Sequence, residues 1–291
     1  MEESDNKKKK KHTVFGVIRL IVLVVSIGVF CFAAWQLYTI FHGYAAAGNE
    51  YDDLKTEFTS PNSSADVSAS SQSTASSSSA ETSEPTDTEE TLIEDAEPPL
   101  AVDWNDLKSV NPEVVGWLYV DAEKIISYPI CRGTDNSYYL HHTFRGESLF
   151  AGAIFMDCQN SGDFTNPNTI IYGHNMKNQS MFGMLKFLKE QARYDTDPYF
   201  WILTPNGNYR YHIYAAFDTP VESETYTLFS GNGPEFLTWE KKMQSQSKVS
   251  NSIPLSENDK TVTLSTCTSD SSTRCVVLGK CVSSARPAKA S

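Results

Sequence analysis

Three side chains stand where apolar runs give way to loops, and their types suit acyl-transfer chemistry. Cys267 closes the run Thr261-Val-Thr-Leu-Ser-Thr-Cys267. A polar loop, Thr268 to Thr273, follows, and Arg274 opens the next apolar run. A cysteine at a strand end is held by rigid backbone while its thiol faces a cleft. Its thiolate is a strong nucleophile, and an adjacent cation favours that form. A guanidinium returned to its side by a strand-loop-strand turn also stabilises charge on a tetrahedral intermediate. Cysteine in a strand packs as a small hydrophobe too, so this run alone leaves both readings open.

The stretch Ile170-Ile-Tyr-Gly-His174-Asn175 has the same form, an apolar strand running into glycine and then histidine. Histidine titrates near neutrality and suits general acid-base work. Its competitors are a capping or structural role for His174 and the other five histidines. His141 and His142 follow Tyr138-Tyr139-Leu140 in a polar turn, His212 lies mid-strand, and His12 and His42 flank an apolar stretch.

The elements that must position these residues are mostly strands. Val115–Val120, Ile125–Cys131, Ala151–Asp157, Thr169–His174, Tyr199–Thr204, Tyr209–Phe217, Thr261–Cys267 and Cys275–Val282 are rich in β-branched or aromatic residues. They are bounded by Gly, Pro, Asn and Asp, as strands are. Pro205-Asn206-Gly207-Asn208 predicts a hairpin turn. Helices are predicted at 180–190 and 234–246, and a short one after Asp103, which can cap Trp104, Leu107 and Val110 on one face. The pattern predicts a β-barrel or sandwich beginning near residue 101.

The 291 residues carry a formal net charge of −12, and it is unevenly spread. Residues 43–100 hold 13 acidic side chains and one lysine, whereas residues 101–291 hold 17 basic against 20 acidic. The C-terminal region lacks the basic footprint that nucleic acid requires, so no nucleic-acid partner is expected. Residues 20–38 contain no charge, and with their apolar flanks exceed the roughly 20 residues that span a bilayer. Lys7 to Lys11 precede this stretch and Trp35, Tyr38 and Phe41 close it, which places the N-terminus in the cytoplasm and an aromatic belt outside. The apolar run is longer than the roughly 7–15 residues of a signal-peptide core, although Ala45-Ala46-Ala47 is a weak cleavage candidate. The expected organisation is a basic cytoplasmic tail (1–12), a transmembrane signal anchor in contact with lipid (13–42), a disordered acidic Ser/Thr-rich stalk (43–100) and an extracellular catalytic domain (101–291) able to stand alone. Five cysteines follow Cys31, an odd number, so at least one is a free thiol. None has C-x-x-C spacing, and no metal site or cofactor is expected.

The motifs taken together resemble the sortases, and within them class B. The resemblance rests on Thr263-Leu-Ser-Thr-Cys267 with Arg274 seven residues on, on Ile170 to Asn175, and on Asn111-Pro-Glu-Val-Val-Gly-Trp-Leu118. Asp135-Asn-Ser-Tyr-Tyr-Leu140, Ala151-Gly-Ala-Ile-Phe-Met-Asp157 and Ser180-Met-Phe-Gly183 also match. It implies an eight-stranded sortase β-barrel with a few short helices. It implies Cys267 as nucleophile, His174 as proton-transfer partner and Arg274 as electrostatic stabiliser, and it suggests that Asn136, Leu140 and Ser265 line the substrate groove. The implied reaction cleaves the C-terminal sorting motif of a surface protein and joins the acyl group to a peptidoglycan precursor amine. A pilin-polymerising sortase would use the same residues, and a membrane-tethered barrel that only binds is the non-enzymatic alternative. Cys131, Cys158, Cys275 and Cys281 fall outside the signature and read as packing residues.

Overall fold

The computed structural model describes residues 2–62, 97–120, 122, 126–268 and 270–285. It divides into two units, residues 1–46 and residues 47–291. The first is the N-terminal part of one long helix, α1 (Glu2–Phe58). Between Ile18 and Phe41 its large apolar side chains, among them Leu20, Val24, Phe30 and Trp35, are exposed. The helix from Ile18 is long and apolar enough to cross a membrane, with a mean hydropathy of 2.4 over its most apolar window.

The second unit begins earlier than the sequence predicts. Ala47, Tyr51, Leu54 and Phe58 lie on one face of α1, spaced by three and four residues, and all are buried. Tyr51 Oη donates to Gly152 O at 2.6 Å, and Glu57 pairs with Arg145 at 2.7 Å. The chain then forms β1 (Thr59–Pro61), which pairs antiparallel with β2 (Leu100–Val102). The expected stalk over 43–100 is therefore corrected at its ends: residues 47–62 and 98–100 belong to the folded unit. On α1, acidic Asp52 and Asp53 are exposed on the side away from this stripe, while Glu50 and Glu57 flank it and reach Arg145. The Ser/Thr-rich part of the expected stalk, 63–96, lies outside the described residues.

Eight strands form a closed barrel in the order β10-β8-β7-β3-β4-β5-β6-β9. They are β3 (Val114–Val120), β4 (Ser127–Cys131), β5 (Ile154–Met156), β6 (Asn168–Tyr172), β7 (Tyr199–Thr204), β8 (Gly207–Pro220), β9 (Thr261–Cys267) and β10 (Thr273–Ala285). All eight predicted strands are present, and closure removes the exposed edges that an open sheet would leave. Most neighbours are antiparallel, but β4–β5 and β6–β9 run parallel. The β6–β9 pair matters most for the site, because parallel strands deliver their C-terminal ends to the same rim.

Helix α2 (Trp104–Val110) starts as predicted, with Asp103 accepting from the N–H groups of Asn105 and Asp106. A short α3 (Tyr138–His141) precedes β5. The helix predicted over 180–190 is instead a set of turns ending in a 3-10 helix, Leu185–Lys189, followed by the single-turn α4 (Gln191–Tyr194). Met181 and Gln179 adopt positive φ there, which an α-helix cannot accommodate. Helix α5 (Pro234–Ser245) buries Phe236, Trp239 and Met243 against Tyr214, Phe217, Val276 and Leu278 of β8 and β10.

Candidate active site

The β6 and β9 strands are in register at Tyr172 and Ser265, so the segments after them emerge side by side. Beyond β6 come Gly173 and His174; the last residue of β9 is Cys267. A Cβ on Gly173 would stand 2.4 Å from Ile154 Cδ1 and 2.8 Å from the Phe182 ring, so glycine lets the chain leave the barrel here without displacing either side chain. The β9–β10 hairpin pairs Cys267 with Arg274 directly. Topology thus places all three sequence-predicted residues on one rim, and all three line a single cleft.

Local contacts fix each one. His174 Nε2 lies 2.8 Å from Leu140 O. A carbonyl only accepts, so Nε2 carries the proton in this contact and Nδ1 is the nitrogen left for proton exchange. Arg274 Nη1 donates to Ser271 O and Thr273 O, both at 2.9 Å, which ties the guanidinium to the loop after Cys267. Asn175 Nδ2 donates to Cys267 O at 2.8 Å.

Asn136, Leu140 and Ser265 also line the cleft. Ser265 Oγ is 2.9 Å from Tyr226 Oη. Asn136 spends its amide on the protein: Nδ2 donates to Asp157 Oδ2 at 2.8 Å and Oδ1 accepts from Cys158 N. Tyr172 Oη donates to the same Asp157 oxygen at 2.9 Å. Burial first, and then Asp157, push the Tyr172 phenol well up, so it stays a neutral donor. Burial likewise raises the Tyr226 phenol, partly offset by Ser265 and the Arg274 charge.

Sequence reasoning passed over Tyr172, Tyr226, Asp157 and Asn175 as individuals. Tyr226 sits on a 3-10 turn (Glu224–Tyr226), where no strand periodicity marks it. Its turn is held by Asn168 Nδ2, which donates to Thr227 O at 3.1 Å. The other three lie inside quoted motifs, beside the residues singled out. All six cysteines are free thiols. Cys131 and Cys275 are buried as expected for packing residues; burial pushes the Cys275 thiol up to about 12 and that of Cys281 up to about 11. Among the described residues no group of three or more His, Cys, Asp or Glu could hold a metal ion.

The sortase-domain family profile matches residues 118–282. The sortase B of Listeria monocytogenes is 36% identical over 181 residues, covering 61% of this chain and 73% of that protein. The sortase B of Staphylococcus aureus is 27% identical over 179 residues, 60% of this chain and 73% of its own length. Among solved structures, Clostridium perfringens sortase B superposes with a TM-score of 0.58 at 28% identity, covering 62% of this chain and all of that one. A sortase B–substrate complex from Staphylococcus aureus superposes with a TM-score of 0.58 at 26% identity, over 61% of this chain and 83% of that one. With a family match over more than half its length and a closed eight-stranded barrel, the chain belongs to the sortases, and within them to class B, the cysteine transpeptidases.

Proposed function

We propose that this protein is anchored in the membrane through residues 13–42, with the catalytic domain outside the cell, and that it joins surface proteins to the cell wall. Its substrate presents a C-terminal sorting motif, and its acceptor is a peptidoglycan precursor amine. The observation that carries this reading is the meeting of Cys267, His174 and Arg274 at one cleft on the β6/β9 rim.

In this reading the Cys267 thiolate attacks the carbonyl carbon of the motif's threonine. The tetrahedral oxyanion faces Arg274, whose guanidinium stabilises the developing charge. Collapse breaks the peptide C–N bond, and protonated His174 gives its proton to the departing amine through Nδ1. The thioester then meets the incoming amine, which loses its proton to His174 as the new amide forms and the thiolate departs. One amide replaces another, with no redox change, through two acyl-transfer steps.

Asn136, Leu140 and Ser265 serve as groove residues. Asn136 and Ser265 present surfaces whose polar atoms are already partnered by Asp157, Cys158 and Tyr226, so they act by shape and through residual donors. The test is mass spectrometry of full-length enzyme with a library of sorting-motif peptides, with and without an added amine. A thioacyl adduct on Cys267 and amine-dependent transfer products are expected. Turnover by a folded Cys267→Ala protein would refute the mechanism, and a product unaffected by the amine would point to hydrolysis instead.

A further inference from the structure

The parallel ladder between β6 and β9 ends in an unusual way. Gly173 N donates to Ser265 O at 3.2 Å. Parallel ladders are evenly spaced, so the next donor from this side is the main-chain N–H of residue 175 and the next acceptor is Cys267 O. The main chain does not supply that rung. After Gly173 it turns away, bridging Asn175 to Met181 and joining Phe182 N to His174 O at 2.9 Å. The side-chain amide of Asn175 takes its place, with Nδ2 donating to Cys267 O at 2.8 Å.

We propose that Asn175 is a positioning residue for the transpeptidation reaction, its carboxamide replacing the missing rung and so fixing Cys267 relative to His174. The inference rests on the reading of Cys267 and His174 given above. Asn175 directly follows His174, so one hydrogen bond ties the proton-transfer segment to the nucleophile's own peptide unit. Cys267 is the last residue of β9, and the Asn175 amide meets its carbonyl just before the loop to Arg274 begins. A nucleophile and its base must hold a near-attack geometry, and small displacements of such pairs cost rate rather than substrate binding. Asparagine is the suitable side chain: serine is too short to reach as the amide does, and aspartate offers only acceptors to a carbonyl that also only accepts.

The experiment compares wild type, Asn175→Ala, Asn175→Asp and Cys267→Ala, each as the full-length chain in detergent. It reads kcat and KM for transfer of a sorting-motif peptide to an amine, the pH profile of Cys267 alkylation, and the melting temperature. We expect Asn175→Ala and Asn175→Asp to lower kcat by about ten- to a hundredfold with KM little changed, and to shift the alkylation profile. The isosteric Asp variant decides the matter if the Ala variant does not fold. Wild-type kcat and an unmoved alkylation profile in a folded variant would overturn the proposal, as would failure of both variants to fold, which would assign the amide to stability. Inert Cys267→Ala beside a fully active Asn175 variant overturns this inference alone. Turnover by Cys267→Ala overturns the underlying reading and this inference with it.

Discussion

The carbonyl oxygen of Leu140 holds His174 through a 2.8 Å hydrogen bond to Nε2, and the missing side chain of Gly152 leaves room for that carbonyl. Gly152 has φ +55°, and a Cβ there would stand 2.4 Å from Tyr139 O and 2.8 Å from Leu140 O. Neither atom is the end of a flexible side chain; both belong to the backbone of α3. Gly152→Ala must therefore strain its own φ and displace the acceptor that fixes the His174 tautomer. We expect the Ala variant to lose about 10²-fold in kcat, with some rise in KM because Leu140 also lines the substrate cleft. Steady-state transpeptidation kinetics check this, and an unchanged kcat would show that the Leu140 contact does not position His174.

Arg274 pairs with Cys267 across the hairpin and spends Nη1 on two loop carbonyls. Among the described residues Nε and Nη2 make no hydrogen bond, which leaves them for substrate or oxyanion. A guanidinium can do both because its donors form a rigid planar fork, whereas a lysine ammonium is one compact charge on a flexible stem. Arg274→Lys should therefore lose most activity, and Arg274→Ala as much or more, in the range of about 10²–10³ in rate. Peptide transpeptidation by both variants is the measurement. Near-wild-type rates with lysine would reduce the residue's role to that of a point charge.

Much of this was legible from the residue pattern. The eight strands follow from β-branched and aromatic runs punctuated by turn residues, and the meeting of Cys267 with Arg274 follows from a short loop between two of them. Parallel pairing of β6 with β9, which brings His174 to the same rim, is a long-range choice that no local pattern encodes. The helix predicted over 180–190 failed for the same kind of reason: Met181 adopts a positive φ and gives its N–H to Tyr128 Oη, and tertiary context outweighed helical propensity. Residues 47–58 were misread because acidic Glu50, Asp52, Asp53 and Glu57 dominate the composition, while the buried stripe of Ala47, Tyr51, Leu54 and Phe58 shows only at helical spacing.

That stripe makes the end of α1 part of the catalytic unit. Leu54 is fully buried, and Leu54→Ala should cost about 2–5 kcal/mol of stability. A chain beginning at residue 101 loses the whole stripe, the Tyr51 contact and the partner of β2, and should unfold at clearly lower denaturant than one beginning at residue 47. Urea unfolding followed by tryptophan fluorescence compares them. Equal midpoints would return residues 47–62 to the role of a spacer.

The pH dependence of stability should carry the mark of Glu240 and, with opposite sign, of His212. Glu240 on α5 is fully buried; Oε1 accepts from Thr261 Oγ1 at 2.8 Å, and Oε2 has no hydrogen-bond partner among the described residues. Burial pushes its carboxyl up to about 8, with Asp259 adding to the rise and Thr261 and Lys280 opposing it. Below its ordinary value near 4.5, folded and unfolded forms are both protonated, and the contribution to stability is fully present. As pH rises toward about 8 the unfolded chain releases the proton that the folded chain keeps, so stability falls. Burial, then Lys280 and Arg210, push His212 down to about 4. Its contribution is complete above 6.5 and lost as pH falls toward 4. The two slopes oppose each other between about 4.5 and 6.5, and only that of Glu240 remains between 6.5 and 8. One proton sets an upper limit of about 1.4 kcal/mol per pH unit on that slope. Glu240→Gln keeps the shape and removes the titration, so its stability should fall less steeply over 6.5–8 than that of wild type. Denaturant unfolding of both proteins at half-unit pH intervals tests this; parallel curves across that window would show that Glu240 keeps its ordinary titration in the folded barrel.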